Sequence, residues 1–354
     1  MKEKYFTTLL IGNGLGMALD SKYFRLQAAI KNVWHNEDDT VLNFKNKNAI
    51  LKCLPEVNGQ RPTIPSSEGQ LAMLHQVVSA CSLLSKVEKN KTFWLTENGQ
   101  RFPDVTNYFI GQVAAYFHRY EKNPESYINF VKEMTIFLKS RKAHLATLNY
   151  DNLLYQPLID RGVLRGYDGD LIDGFRGMTY SDSNMERKKG REELGWYLHL
   201  HGSPLFYGKN GDVNKMSQTD LTESFISKDV YHRHIVLSHY KTKTEIISGS
   251  SLLASYWEYF ERALGESCDL LVFGYGGQDR HVNKKISGWI EQRRKLKMSI
   301  KILVVEWNNP AREFSEEKEK WLNRFDPMGI LKPGEFKLKR YENILDFDWG
   351  LLGD

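Results

Sequence analysis

The sequence predicts an α/β fold built on a doubly wound parallel sheet with a large helical insertion. Short apolar runs alternate with segments whose apolar residues recur at helical spacing, and this alternation is typical of parallel sheets. The apolar runs cover residues 6–11, 144–148, 196–200, 270–273 and 300–305. Helical patterns follow at 152–159, 252–264, 282–296 and 315–325. Most runs end in polar residues or Gly, so we expect a ligand site at the carboxyl edge of the sheet.

The first two apolar runs are too far apart for one crossover, and helical patterns fill the gap. These patterns cover 68–84, 105–120 and 125–138, with polar segments around 43–48 and 58–67. We therefore interpret residues 26–140 as a helical insertion within a single α/β domain that spans 1–354. Two further segments, 165–195 and 207–230, are polar and are expected to be long loops. Long loops in compact domains are usually functional or mobile.

Composition indicates a globular protein of the reduced cytoplasm. The chain has 354 residues, 41% of them hydrophobic, and a net charge of +5, which is too weak a bias to predict a nucleic-acid site. Its three cysteines are odd in number and far apart, so their spacing excludes a thiolate zinc site. No apolar stretch reaches the roughly 18 residues that a membrane helix needs, and no signal peptide is evident.

A glycine-rich turn, Gly12-Asn13-Gly14-Leu15-Gly16, follows the first apolar run. Such a turn allows a ligand to approach the backbone closely. The standard dinucleotide fingerprint requires a third glycine where this chain has Met17, so that motif is not met. A tight strand-to-helix turn without a ligand is the alternative.

The second apolar run ends in Thr147-Leu148-Asn149-Tyr150-Asp151. Strand side chains alternate between faces, so Asn149 and Asp151 can point into one crevice together. Neither side chain contributes to a hydrophobic core. The alternative is that one of them caps the helix expected from residue 152.

The third run ends in His199-Leu200-His201-Gly202, for which three interpretations remain open. The histidines could form a metal pair completed by His232, His234 or His239. His201 could instead be a catalytic base, or the pair could be core histidines bonded to backbone carbonyls. The last two runs end in Gly274-Tyr275-Gly276 and Asn308-Asn309, and two glycine turns on one sheet suggest a ligand with two ends.

Together these motifs resemble the sirtuin family. The family's first glycine turn and its following Phe-Arg correspond to Gly12-Asn13-Gly14-Leu15 and Phe24-Arg25. Its Gln-Asn-Ile-Asp, its catalytic His-Gly and its Gly-Thr-Ser correspond to residues 148–151, 201–202 and 274–276. Its adenosine-side Asn resembles Asn308-Asn309. The chain departs from the family at Gly16 and Tyr23, and residues 203–267 lack the four cysteines of the deacylase zinc ribbon.

The missing ribbon makes the chain more similar to bacterial sirtuin-like effectors of antiphage defence, which consume NAD. The resemblance implies a Rossmann-like domain that hydrolyses NAD+ at the nicotinamide–ribose bond without a metal. Asn149 would hold a ribose hydroxyl or water, Asp151 and the Tyr150 backbone the carboxamide, and His201 would be the base. The other implied NAD-binding residues are Gly12, Asn13, Gly14, Phe24, Arg25, Thr147, Gly274, Tyr275, Gly276 and Asn309. Gly12, Gly14 and the first helix N-terminus would take the pyrophosphate.

Two other functions remain open: an NAD or ADP-ribose sensor without turnover, and a zinc-independent deacylase or ADP-ribosyltransferase. An enzyme that depletes NAD must be restrained in a healthy cell, so we expect a homo-oligomer or a partner. Relatives of this kind imply a HerA-type hexameric ATPase as that partner. The insertion and the segments 165–195 and 207–230 are the expected contact regions.

Overall fold

A seven-stranded parallel sheet forms the centre of the molecule and confirms the predicted α/β, Rossmann-like fold. The computed structural model describes residues 6–56, 59–87, 97–208, 213–217, 221, 233–236, 243 and 246–352. Its strands are β1 Phe6–Ile11, β2 Ala143–Thr147, β3 Leu171–Ile172, β6 Gly195–His199, β10 Ser267–Phe273, β11 Lys301–Trp307 and β12 Phe336–Tyr341. Their order across the sheet is β12-β11-β10-β1-β2-β6-β3.

The sheet changes winding direction at β1. Chain order runs outward from β1 through β2 and β6 on one side, whereas β10, β11 and β12 continue on the other. The carboxyl ends of β1 and β10 are therefore the topological switch point, where open α/β sheets bind their ligands. Ile11, the last residue of β1, is paired with Phe273 on β10 and with Thr147 on β2.

Helices cover the sheet and connect its strands. The helices between β1 and β2 are α1 Gly14–Leu19, α2 Leu26–Trp34, α3 Phe44–Lys52, α4 Glu68–Val87, α5 Glu97–His118 and α6 Glu125–Ser140. The later ones are α7 Tyr155–Asp160, α8 Ser251–Glu266, α9 Arg280–Lys295 and α10 Phe314–Phe325. Within the described ranges, no helix combines the length and the apolar character that a membrane crossing requires.

The insertion between β1 and β2 is helical, and α5 contacts α2, α3 and α4. The polar segment at 43–48, which we placed between helical patterns, is itself largely helical, because α3 begins at Phe44. Asn43 accepts a hydrogen bond from the Asn46 N–H, which caps α3 at its N-terminus. Ile50 is buried in the core, although five of the nine residues of this helix are Lys or Asn. The boundaries of the insertion and the single-domain organisation stay predictions.

A second, five-stranded sheet corrects the prediction of a long loop over 165–195. Its order is β4-β5-β8-β7-β9, with β4 Phe175–Arg176, β5 Thr179–Tyr180, β7 Gly202–Tyr207, β8 Asn214–Lys215 and β9 Arg233–Ile235. Its strands pair antiparallel. Several are only two residues long, too short for an alternating pattern to reveal. Much of the predicted loop over 207–230 lies outside the described residues.

Candidate active site

Two glycine turns touch each other at the switch point. The Gly12 N–H donates to Phe273 O at 2.9 Å, and the Gly14 N–H donates to Gly274 O at 2.7 Å. A Cβ atom on Gly14 would lie 2.6 Å from Gly274 Cα, so only glycine fits here. The contact between the two glycine turns is called the seam below. The N–H groups of Gly12 and Gly14 are thus already bonded within the protein. The pyrophosphate site at Gly12, Gly14 and the first helix N-terminus stays a prediction that would have to use other donors.

Beside this seam lies a cavity of about 630 Å³, here called the histidine cavity. Polar side chains from several strand ends meet in it, as predicted from the sequence. The predicted residues that line it are Gly12, Asn13, Phe24, Asn149, Tyr150, Asp151, His201, Tyr275 and Gly276. The insertion adds Leu26, Glu68 and Phe117, which the sequence interpretation missed. The helical insertion thus forms part of the wall of the site.

A second cavity of about 680 Å³ lies across the seam and is here called the arginine cavity. Its lining includes the predicted residues Gly14, Arg25, Gly274, Tyr275, Gly276 and Asn309, together with Arg312, Arg324 and Arg340. Tyr275, Gly276 and Gln278 line both cavities. The predicted residues therefore divide between two adjoining cavities, and one elongated ligand could occupy both.

Asn149 lines the histidine cavity and carries a buried acceptor that is unused within the described structure. Its side chain is only 5% exposed, and Nδ2 donates to Gly12 O at 3.2 Å. Oδ1 is buried without a hydrogen-bond partner among the described residues. A buried polar atom of this kind is costly unless something else satisfies it, which makes Oδ1 a candidate acceptor for a ligand hydroxyl or a water.

Thr147 lines neither cavity and instead forms a hydrogen bond with the backbone of Asn149. It is 2% exposed, and its Oγ1 accepts the backbone N–H of Asn149 at 3.1 Å. The implied role of Thr147 as an NAD contact is corrected accordingly: within the described structure it orients the residue that faces the cavity.

Asp151 is a buried carboxyl group whose environment disfavours its charge. Burial raises its pKa to about 7, and the Leu153 N–H donates to Oδ1 at 3.0 Å. Helix α7 begins only at Tyr155, so the helix-cap interpretation of Asp151 is wrong. Near neutral pH, this carboxyl group exists in both protonation states and can donate a hydrogen bond to a ligand as well as accept one.

His201 lies against a carboxylate and an ammonium group. Its Nε2 is 2.9 Å from Asp279 Oδ2, and the same oxygen accepts from Lys243 Nζ at 2.8 Å. Burial lowers the pKa of His201, and Lys243 lowers it further, while Asp279 acts in the opposite direction. The imidazole is therefore held neutral near pH 7, as a general base requires.

Asp279 and Lys243 were missed by the sequence interpretation. Asp279 is the N-cap of α9, where Oδ1 accepts from His281 N at 3.0 Å and from Val282 N at 3.4 Å. The Tyr275 hydroxyl accepts the Asp279 backbone N–H at 2.9 Å. An Asp just ahead of a helical pattern is a recognisable cap signal, but nothing local to Lys243 indicates that it reaches this site.

His199 does not face the histidine cavity. Its ring packs edge-on against Tyr155, Tyr197 and Phe206, and burial lowers its pKa to about 3. His232 and His239 lie outside the described residues, while His234 Nδ1 is 2.7 Å from Ser250 Oγ. Over the part of the chain that the structure describes, no group of three or more His, Cys, Asp or Glu side chains is placed to hold a metal ion.

The remaining predicted residues lie at the edges of the two cavities. Phe24 is fully buried, and its backbone oxygen accepts from Asn13 Nδ2 at 3.1 Å. Arg25 is exposed just before α2 and lines only the arginine cavity. Asn309 Oδ1 accepts the Ala311 N–H at 3.0 Å and shapes the loop after β11.

The fold and site define an α/β protein whose ligand site straddles the topological switch point of its sheet. The family model for the SIR2-like domain matches residues 143–325, just over half of the chain, and the protein belongs to this family. SIR2-like domains use NAD+ as substrate. The match contains Asn149, Asp151, His201 and Asp279. Among curated proteins, none matches this chain significantly.

Proposed function

We propose that this SIR2-like protein hydrolyses NAD+ at the nicotinamide–ribose bond and releases nicotinamide and ADP-ribose. The observation that carries the proposal is that Asn149, whose buried Oδ1 has no hydrogen-bond partner among the described residues, lines one cavity with Asp151 and His201. The adjoining arginine cavity offers room and positive charge for the ADP half of the same molecule. The seam residues Tyr275, Gly276 and Gln278 would then lie beside the middle of the bound dinucleotide.

The chemistry of this bond suits the groups present. Nicotinamide leaves NAD+ as a neutral molecule because it carries a positive charge while bound, so no general acid is needed. The transition state resembles an oxocarbenium ion, as in glycoside cleavage. The bond from ribose C1′ to the pyridine nitrogen breaks, and a bond from C1′ to a water oxygen forms. The released proton passes to His201, whose lowered pKa keeps it in the accepting form.

Asn149 and Asp151 would orient the ribose and the nicotinamide, the two groups joined by the bond that breaks. The free Oδ1 of Asn149 can accept from a ribose hydroxyl or from the attacking water. Asp151, with its pKa raised to about 7 by burial, can bond the carboxamide in either protonation state. Holding reactants in a near-attack geometry is itself a large part of catalysis.

Alanine substitutions at the site test this proposal directly. His201→Ala should reduce nicotinamide release by roughly 10²–10⁴-fold, the usual contribution of a positioned acid–base group. Asn149→Ala should reduce it by roughly 10²–10³-fold, the usual cost of removing one preorganised hydrogen-bonding group. Asn123→Ala and His35→Ala are matched controls, because both residues are exposed and line neither cavity. Wild-type nicotinamide release by either site variant, in a folded protein, would contradict the assignment.

The proposed cellular role is NAD+ depletion in antiphage defence, carried out in the cytoplasm by a homo-oligomer or with a HerA-type ATPase. The resemblance to NAD-consuming effectors supports this role.

The insertion also exposes apolar side chains, including Phe44 at 86% and Leu83 at 64% exposed, which suit a protein contact. Mass measurement of the pure protein, alone and with the product of a neighbouring gene, tests the assembly. A monomer under both conditions would contradict it.

A further inference from the structure

The Asp279 carboxylate connects two basic side chains at the histidine cavity. Oδ2 lies 2.9 Å from His201 Nε2 and 2.8 Å from Lys243 Nζ, and the two nitrogens are 3.5 Å apart. All three residues are at most 9% exposed. Charges removed from water in this way interact strongly, because little solvent screens them.

The net charge of the three side chains His201, Asp279 and Lys243 depends on Lys243. With a neutral imidazole, the ammonium and the carboxylate cancel, whereas a protonated imidazole would leave one net positive charge buried. Without Lys243, the carboxylate alone would face His201 and would stabilise its protonated form. Asp279 cannot turn away easily, since its Oδ1 is held by the first N–H groups of α9.

We propose that Lys243 is a positioning residue that keeps His201 in its neutral, proton-accepting form by neutralising Asp279. Asp279 in turn fixes the imidazole ring by accepting from Nε2, and the backbone of Leu148 also bonds to the ring. The kinetic consequence rests on the proposed NAD+ hydrolysis, but the effect on the charge state of His201 does not.

Other ionisable groups surround His201 from the neighbouring elements. Tyr150 stacks on the ring with centroids 6.3 Å apart, and Asp151, Glu68 and Arg280 line the same cavity. Asp279 contacts the imidazole directly at 2.9 Å, and Lys243 Nζ lies 3.5 Å from the same ring nitrogen. Substitution at Lys243 or Asp279 is therefore the sharpest way to change the charge of the ring.

The two substitutions should shift the titration of His201 in opposite directions. Lys243→Met should raise its midpoint by about one pH unit or more, and Asp279→Asn should lower it, as expected for removal of a neighbouring charge. Lys243→Arg retains the charge and should leave the midpoint near the wild-type value. Lys132→Met on the exposed face of α6 is the control for loss of a lysine elsewhere.

The midpoint is read in two ways on the full chain. Histidine-labelled protein gives the imidazole titration by NMR, with the His201 signal assigned from His201→Asn. The acid limb of kcat/KM for NAD+ should move up in Lys243→Met by the same amount as the NMR midpoint. Equal midpoints in wild type and Lys243→Met, or equal shifts in Lys243→Met and Lys243→Arg, would overturn the proposal.

The NMR reading separates failure of this inference from failure of the proposed function. If the wild-type protein releases no nicotinamide, the proposed function fails while the opposite NMR shifts still test the charge balance. If Lys243→Met does not fold, Asp279→Asn decides the question. An unchanged or raised midpoint in that variant would contradict the proposal.

Discussion

The histidine cavity and the arginine cavity adjoin one seam, and one carboxyl group from each, Asp151 and Glu317, is held in an opposite way. In the histidine cavity, Asp151 is buried without an ion-pair partner in the described structure and its pKa is raised to about 7. In the arginine cavity, Glu317 accepts from Arg312 at 2.9 Å and from Lys320 at 3.2 Å. Burial alone would raise the pKa of Glu317, but these two partners outweigh it and lower the pKa.

We infer from this difference that the histidine cavity serves the chemical step and that the arginine cavity serves binding. Perturbed groups that remain unpaired cost stability and are typical of catalytic positions. Charged side chains that are already paired keep the lining of a cavity in a fixed geometry. They can bind a ligand through the hydrogen-bonding positions that the pair leaves unused. We therefore expect substitutions in the histidine cavity to alter chemistry and pH dependence, and those in the arginine cavity to alter binding.

The largest expected effect is a gain in stability with a loss of activity in Asp151→Asn. A carboxyl group with a raised pKa stabilises the fold below its unfolded pKa, and this contribution is lost as the pH rises through about 7. The variant should therefore gain stability relative to wild type by about 1.4 kcal/mol per pH unit between roughly 4 and 7. Urea unfolding at about pH 5 and about pH 8 measures this. A stability difference that does not change with pH would contradict the buried-charge account.

The seam between the cavities should tolerate no added methyl group. Gly14→Ala would place Cβ 2.6 Å from Gly274 Cα and should destabilise the fold by about 1–3 kcal/mol through overpacking. Gly288→Ala in α9 is the matched control, because nothing lies within 4 Å of its added Cβ. That control should gain about 0.5–1 kcal/mol from helix propensity. Equal unfolding free energies for the two variants would show that the turns do not pack as described.

Arg324→Met should weaken NAD+ binding and leave the chemical step intact. The guanidinium donates to Gly276 O at 3.0 Å and lines the arginine cavity, away from His201. Steady-state kinetics should show KM raised about tenfold with little change in kcat, the pattern of lost uniform binding. Lys318→Met, exposed on the same helix, should leave both constants unchanged. A fall in kcat with constant KM would contradict the division between the cavities.

The smallest expected effect is a loss of stability in Glu317→Gln, opposite in sign to that of Asp151→Asn. A carboxylate with a lowered pKa stabilises the fold above its unfolded pKa, and the contribution is lost as the pH falls through its folded value. Because the side chains of its partners Arg312 and Lys320 are 50% and 37% exposed, solvent screens the pairs and the loss should be about 0.2–1 kcal/mol near neutral pH. Unfolding curves at both pH values, compared with those of Asp151→Asn, test the sign. A gain in stability would remove the contrast between the two cavities.

The sequence predicted those parts of the site that lie at the ends of buried strands. The pattern over β1 predicted its bounds as observed, and Asn149, Asp151 and His201 were expected together because the strands before them are parallel. Asp279 was visible only as a helix-start signal. Lys243 was not visible at all, because its contact with Asp279 spans 36 residues and no local pattern encodes it.

Short or polar elements escaped prediction for physical reasons. Helix α3 has a mostly polar sequence, and its capping Asn43 was taken as part of a polar segment. Strand β12 alternates buried Phe336 and Leu338 with Lys337, a half-exposed edge pattern that contains too few apolar residues to stand out. The glycines of the first turn were recognised, but the close approach of the second turn to them was not predicted.

Chromatography of the products after incubation of the pure protein with NAD+ tests the central claim most directly. The account predicts that nicotinamide and ADP-ribose accumulate in equal amounts, and that His201→Ala nearly abolishes both. Recovery of bound but unaltered NAD+ would instead indicate a sensor. Nicotinamide release that requires an acylated peptide or a protein acceptor would indicate group transfer. Either of these results would contradict hydrolysis as the function of this site.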